Sequence, residues 1–97
     1  MPRPKYTRKV HAPPLYSVFK PVGLRARDLK QVVLTLDEFE AIRLADQEGY
    51  THEMAAEEMK ISRTTFTRLI ERARKNLADF IINGHQLTIE GGAIHFK

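Results

Sequence analysis

Between positions 62 and 75 the chain reads SRTTFTRLIERARK, and its polar residues fall at spacings that gather cations and hydroxyls along one side of a helix. At about 100° per residue, Thr64, Thr67, Arg68, Glu71, Arg72 and Lys75 point away from an apolar stripe of Phe66, Leu69, Ile70, Ala73, Leu77, Phe80 and Ile81, while Arg63 sits at the helix start. The chemistry open to that face is hydrogen bonding to nucleic acid. Guanidinium forks match guanine O6 and N7, hydroxyls reach phosphates or base edges, and no bulky apolar group stands in the way. Arginines on the wet side of an amphipathic helix also fit a plain solvated surface, so the surrounding elements decide between the two.

Presenting such a face takes a second helix and a fixed turn. Thr51 is a candidate N-cap with Glu53 in the first turn, Ala55 is small enough for another helix to cross closely, and Lys60-Ile61 closes a turn. Ser62 then caps a helix over about 62 to 82. Together these spell a helix-turn-helix, a unit that either reads DNA or makes protein contacts. A supporting helix is expected at about 36 to 48, opened by the capping box Thr35-Leu36-Asp37-Glu38, with Phe39, Ile42 and Ala45 inward and Gly49 as its stop. Lys60 stands where such turns commonly carry Gly, and a left-handed backbone there costs about 1 kcal/mol.

Charge is segregated along the chain. Residues 1 to 27 hold seven Lys or Arg and no acid, residues 28 to 59 hold two against nine, and residues 60 to 97 hold seven against three, for a net charge of +4. The two basic segments suit phosphates, whereas Asp37, Glu38, Glu40, Asp46, Glu48, Glu57 and Glu58 are expected on exposed, solubilising faces turned away from them. All five prolines, at 2, 4, 13, 14 and 21, lie in the first 23 residues and keep that segment extended. Its Arg3, Lys5, Arg8 and Lys9 form a basic arm that fits phosphate contact and fits a solubilising tail equally well. In either role, removal of residues 1 to 10 leaves the fold intact. Tyr16 to Lys20 has edge-strand character, and Arg25 to Gln31 reads as a short helix with Leu24, Leu29 and Val32 inward.

Composition narrows the function classes. Ninety-seven residues at 42% hydrophobic make one small domain. The absence of cysteine excludes thiol catalysis, disulfides and zinc-cysteine sites. His52-Glu53 opens like a zinc-protease motif, but Ala56 stands where the second ligand belongs, and His11, His85 and His95 are too scattered for a metal site. There is no glycine-rich phosphate loop, no apolar run of membrane length and no apolar core of a signal peptide, which points to a cytoplasmic protein without catalytic, cofactor-binding or metal residues.

At the C-terminus, Gln86 to Glu90 and Ala93 to Phe96 flank Gly91-Gly92, the pattern of a two-residue hairpin with Ile89 opposite Ile94 and Leu87 opposite Phe96. The resulting apolar face needs a cover, from the Tyr16 to Phe19 strand or from a second copy, and a homodimer through 86 to 96 or 15 to 20 is the expectation. A hairpin after such a helix also suggests a DNA-touching wing, but its tip carries Glu90 and no cation.

Two resemblances follow from particular residues. Glu53-Met54-Ala55 with Ile61-Ser62-Arg63-Thr64-Thr65, inside the segment Leu34 to Ala73, resembles the promoter-reading helix-turn-helix of primary sigma factors. Over nearly its full length, through Met1-Pro2-Arg3-Pro4, the run from Leu34 to Asp46 and Ile89-Glu90-Gly91-Gly92, the chain resembles a family of small, functionally uncharacterised bacterial and archaeal proteins predicted to bind DNA. Many members of that family carry a cysteine near the position of His11, and with none here, metal or redox sensing through it does not carry over. The combined expectation is a mainly α, three-helix, sigma region 4-like helix-turn-helix domain over 24 to 83, with a basic arm over 1 to 23 and a β-hairpin over 84 to 97. It is a non-enzymatic transcription regulator that binds double-stranded DNA through Ser62, Arg63, Thr64, Thr67, Arg68, Arg72 and Lys75, with Arg3, Lys5, Arg8 and Lys9 in support. The alternative is a module that docks on RNA polymerase or another regulator.

Overall fold

The computed structural model describes residues 7 to 96, so Arg3 and Lys5 lie outside the described residues. In chain order the elements are β1 (Arg8–Val10), β2 (Val18–Phe19), a 3-10 turn (Ala26–Asp28), β3 (Gln31–Leu34), α1 (Leu36–Ile42), α2 (His52–Met59), α3 (Arg63–Asn83), β4 (Gln86–Ile89) and β5 (Ile94–Phe96). The architecture is therefore mixed rather than mainly α. Five short strands accompany the three helices, and the helix expected at 25 to 31 shrinks to one 3-10 turn followed by a strand.

Side-chain caps start all three helices. Glu38 N donates to the Thr35 hydroxyl while Glu38 Oε1 accepts from Thr35 N at 2.9 Å, completing the capping box of α1. Thr51 accepts from Met54 N at 3.1 Å and Ser62 from Thr65 N at 3.1 Å, opening α2 and α3. Between these two helices lie only Lys60, Ile61 and Ser62, and Lys60 is left-handed at φ 62°.

α1 continues as a π-helical turn, Arg43–Gln47, in which Glu48 N bonds to Arg43 O at 2.9 Å, and Gly49 ends it at φ 75°. The wider turn rotates the buried face. Ala41 and Leu44 are fully enclosed, while the expected inward residues Phe39, Ile42 and Ala45 flank them half-buried.

The C-terminal hairpin does not form. β4 is the central strand of a three-stranded sheet, antiparallel to β2 and parallel to β3, whereas β5 pairs in parallel with β1 in a separate two-stranded sheet. With a neighbour on each side and all four of its residues buried, β4 offers no free edge to β5. Gly91 and Gly92 do have positive φ, 78° and 99°, but they carry the chain across the start of α1, where Gly91 O accepts from Leu36 N at 3.0 Å. A Cβ on Gly92 would stand 2.9 Å from Asp37 Oδ1, so only glycine passes there. The parallel β3–β4 pair needs a long crossover, which the three helices provide.

Two apolar clusters share α3. Its first half closes over Ala41, Leu44, Ala55, Ala56 and Met59 through Phe66, Leu69 and Ile70; its second half covers the sheet, where Ala73 meets Val32, Leu34, Leu87 and Ile89. Ile42 packs against both clusters. Leu87 and Ile89 are thus core of the chain itself, while their expected hairpin partners Ile94 and Phe96 belong to the other sheet. No described helix is long and apolar enough to cross a membrane.

Candidate nucleic-acid interface

The 21 residues of α3 divide as the sequence pattern requires, with an apolar side sealed in the core and a polar side outward. Arg63, Thr64, Arg68 and Lys75 are exposed, and among the described residues Arg63, Arg68 and Lys75 have neither an ion pair nor a side-chain hydrogen bond. Ile81, expected on the apolar stripe, is 68% exposed because α3 outruns the core at its end.

Other expected residues are engaged inside the fold. The Ser62 hydroxyl caps α3 and also donates to Thr65 Oγ1 at 2.9 Å. Thr67 is half-buried, its Oγ1 2.9 Å from His52 Nδ1, and the His52 ring stands edge-on to Phe66 with centroids 5.3 Å apart. Thr67 therefore locks α3 to α2 instead of facing outward. Arg72 Nε lies 3.3 Å from Glu38 Oε2, although the Arg72 side chain is largely exposed.

The N-terminal basic segment is placed differently from the free arm expected. Arg8 and Lys9 lie in β1, next to Val10, which is completely buried. Arg8 Nη1 contacts Asp37 Oδ2 at 3.1 Å and Lys9 Nζ contacts Glu58 Oε1 at 3.7 Å. Removal of residues 1 to 10 thus takes out a strand and a core side chain, and is expected to cost stability instead of leaving the fold intact.

The acids of α1 also depart from expectation. Asp37, Glu38 and Glu40 are buried, not solvated, and each has a cationic partner. Asp37 Oδ1 accepts from Glu38 N at 3.1 Å and from the Thr35 hydroxyl. Glu40 holds Arg43 through two bonds of 2.8 Å and accepts from His11 N at 3.2 Å. Donation from Arg43 to the Glu40 carboxylate, opposed by burial, raises the Arg43 pKa above its ordinary value. On the outer side of α3, Arg74 binds Asp46 through contacts of 2.7 and 3.2 Å; the bond holds the Asp46 carboxyl below its ordinary range and raises Arg74.

One grouping was not legible as such in the sequence. Thr65, Arg68 and Arg72 of α3 line a cleft together with Arg8 of β1. The spacing of Thr65, three and seven residues before the two arginines, puts it in their row along the helix, but nothing local brings Arg8 to them.

The molecule is thus a small mixed helix-and-strand protein that mounts a basic helical face on a two-part core. The chain belongs to the family described as "Protein of unknown function DUF134", whose model matches residues 1–97. It is 57% identical over its whole length to a UPF0251 protein of Chloroherpeton thalassium, and it spans 64% of that relative's own length. It is 50% identical over 92 residues to a UPF0251 protein of Desulfosudis oleivorans, covering 95% of this chain and 67% of the relative. With a UPF0251 protein of the archaeon Methanococcus vannielii the identity is 46% over 90 residues, covering 93% of this chain and 69% of the relative. No solved structure matches the chain significantly.

Proposed function

We propose that α2 and α3 form a helix-turn-helix of the sigma region 4-like kind that binds double-stranded DNA sequence-specifically and serves in transcription regulation. The observation that carries this reading is a group of exposed cations without countercharge on the outward face of α3. Arg8, Arg43, Arg72 and Arg74 all have carboxylate partners, whereas Arg63, Arg68 and Lys75 stand exposed without one among the described residues. Unpartnered cations on a helix capped at Ser62 and locked to α2 through Thr67 suit a rigid element entering the major groove, where the first residues of the helix meet base edges. Selection of bound sequences from a random duplex library tests this reading. Enrichment of a defined motif supports it, and recovery of unselected sequence at every salt concentration counts against it.

The competing use of the same unit is docking on RNA polymerase or another regulator, which calls for an apolar patch. The exposed large apolar residues of α3, Ile81 and Ile82, lie at its far end, away from Arg63 and Arg68. A docking module would retain its partner after loss of the arginines, whereas a DNA reader would lose affinity and salt dependence.

Homodimerisation is the second part of the proposal, on altered grounds. The uncovered hairpin that called for a partner is gone, and Ile89 is core. Pairing is favoured instead by β2, an edge strand with Val18 and Phe19 each about half exposed beside an apolar groove of about 670 Å³ lined by residues that include Phe19, Leu34, Phe39, Leu77 and Leu87. Sedimentation as a monomer at micromolar concentration would remove this part and leave the DNA reading standing.

A further inference from the structure

A cleft of about 410 Å³ opens between β1 and α3, lined by Arg8, Thr65, Arg68 and Arg72. Thr65, Arg68 and Arg72 form one row along the helix, and Arg8 reaches the same space from the strand. Two of the three guanidiniums are fixed from behind. Asp37 engages Arg8 through Nη1 at 3.1 Å and Glu38 engages Arg72 through Nε at 3.3 Å, both carboxylates being almost fully buried and neither lining the cleft. Most of the donor capacity is left over. Arg8 Nε is buried without any acceptor, Arg72 meets Glu38 through Nε with its side chain 64% exposed, and Arg68 is exposed with no ion pair among the described residues. Three cations against two carboxylates leave a positive balance, and the first turn of α3, which contains Thr65, adds the positive end of a long helix dipole.

We infer that this cleft is an oxyanion site and that it holds one backbone phosphate of the duplex bound by α3, an assignment that rests on the DNA reading above. A phosphodiester presents two non-bridging oxygens, each able to accept from more than one N–H, which suits forks arriving from a helix and a strand. Buried carboxylates that set those forks before binding reduce the ordering required when the phosphate arrives. The assignment moves Arg68 from base reading to backbone positioning and leaves base edges to Arg63 and Thr64 at the helix start. It also gives Arg8 a fixed role in place of a mobile arm's. A free phosphorylated ligand has the same chemistry, so the test separates the two sources.

The guanidinium N–H resonances of the wild-type protein, followed by nuclear magnetic resonance, read the site directly. Addition of a short duplex is expected to shift Arg8, Arg68 and Arg72 together, while inorganic phosphate at millimolar concentration shifts the same three weakly. Arg68→Ala and Arg72→Gln are each expected to weaken binding about tenfold, equally on selected and random duplexes, and to lower the slope of log affinity against log salt by about 1. Arg68→Ala is the variant without a folding role; Arg72, like Arg8, partners a buried carboxylate, so Arg72→Gln is read only together with an unchanged fold by melting temperature. If a duplex binds and moves Arg63 but leaves Arg8 and Arg72 unchanged, the cleft assignment is wrong while the DNA reading stands. If Arg68→Ala relaxes preference at a single base pair, Arg68 reads a base and the assignment is equally wrong. If inorganic phosphate moves all three signals and no duplex does, the site serves a free phosphorylated ligand and the assignment to DNA falls together with the DNA reading.

Discussion

The two basic regions of this chain look alike in the sequence and behave differently in the fold. Arg8 and Lys9, read from composition as part of a free arm, lie in a strand and pair with Asp37 and Glu58. Arg63 and Arg68 stand on α3 with no countercharge among the described residues. A guanidinium held by a buried carboxylate contributes first to folding, because the acid needs it; one left in water without a partner contributes little to folding and is available for a ligand. The difference lies in what surrounds each cation rather than in the number of cations, and it can be tested by removing one of each kind.

The largest effect is expected from Arg8→Ala. It strands the buried Asp37 carboxylate, and calorimetric unfolding should show a loss of about 3 kcal/mol. A melting temperature equal to wild type would place Arg8 with the free cations and break the comparison. Arg63→Ala should leave melting within about 0.5 kcal/mol of wild type but cost about 1 to 3 kcal/mol of binding to a selected site, with preference relaxed at one base pair. Equal loss on every duplex would mean that Arg63 contacts phosphate only. Lys60→Gly removes the left-handed strain in the turn that aims α3, and a gain of about 1 kcal/mol in thermal or denaturant unfolding is expected, without change in salt dependence.

The smallest effect concerns the Arg74–Asp46 pair, which is partly exposed and therefore weak. The hydrogen bond from Arg74 holds the Asp46 carboxyl below its ordinary 3.8 in the folded chain, so the pair's contribution is complete above that value and disappears as pH falls through the depressed one. Asp46→Asn should flatten only that acidic limb of a stability-against-pH curve. An equal loss at neutral and acidic pH would mean that Asp46 acts through packing.

What the sequence made legible was local. Thr35, Thr51 and Ser62 are caps because a hydroxyl reaches a backbone N–H three residues on, and Phe66, Leu69, Ile70 and Ala73 are core because helical spacing aligns them. What remained hidden was set over long separations. Arg8 meets Asp37 across 29 positions, and β4 joins β3 only after all three helices have intervened. Gly91-Gly92 supports a hairpin turn and a strand crossing equally well, and only the occupied edges of β4 decide between them. β3 carries a sequence signal in its short apolar run Val32-Val33-Leu34 with two β-branched residues, but the adjoining polar Arg25 to Gln31 has no strand pattern.

The central claim is that the outward face of α3 binds duplex DNA, and amide chemical-shift mapping of the full chain with a selected duplex tests it most directly. Shifts concentrated at residues 62 to 68, with Arg72 and Lys75 beyond them, are the predicted result. No response to any duplex, or a response confined to β2 and the apolar groove beside it, would contradict the claim.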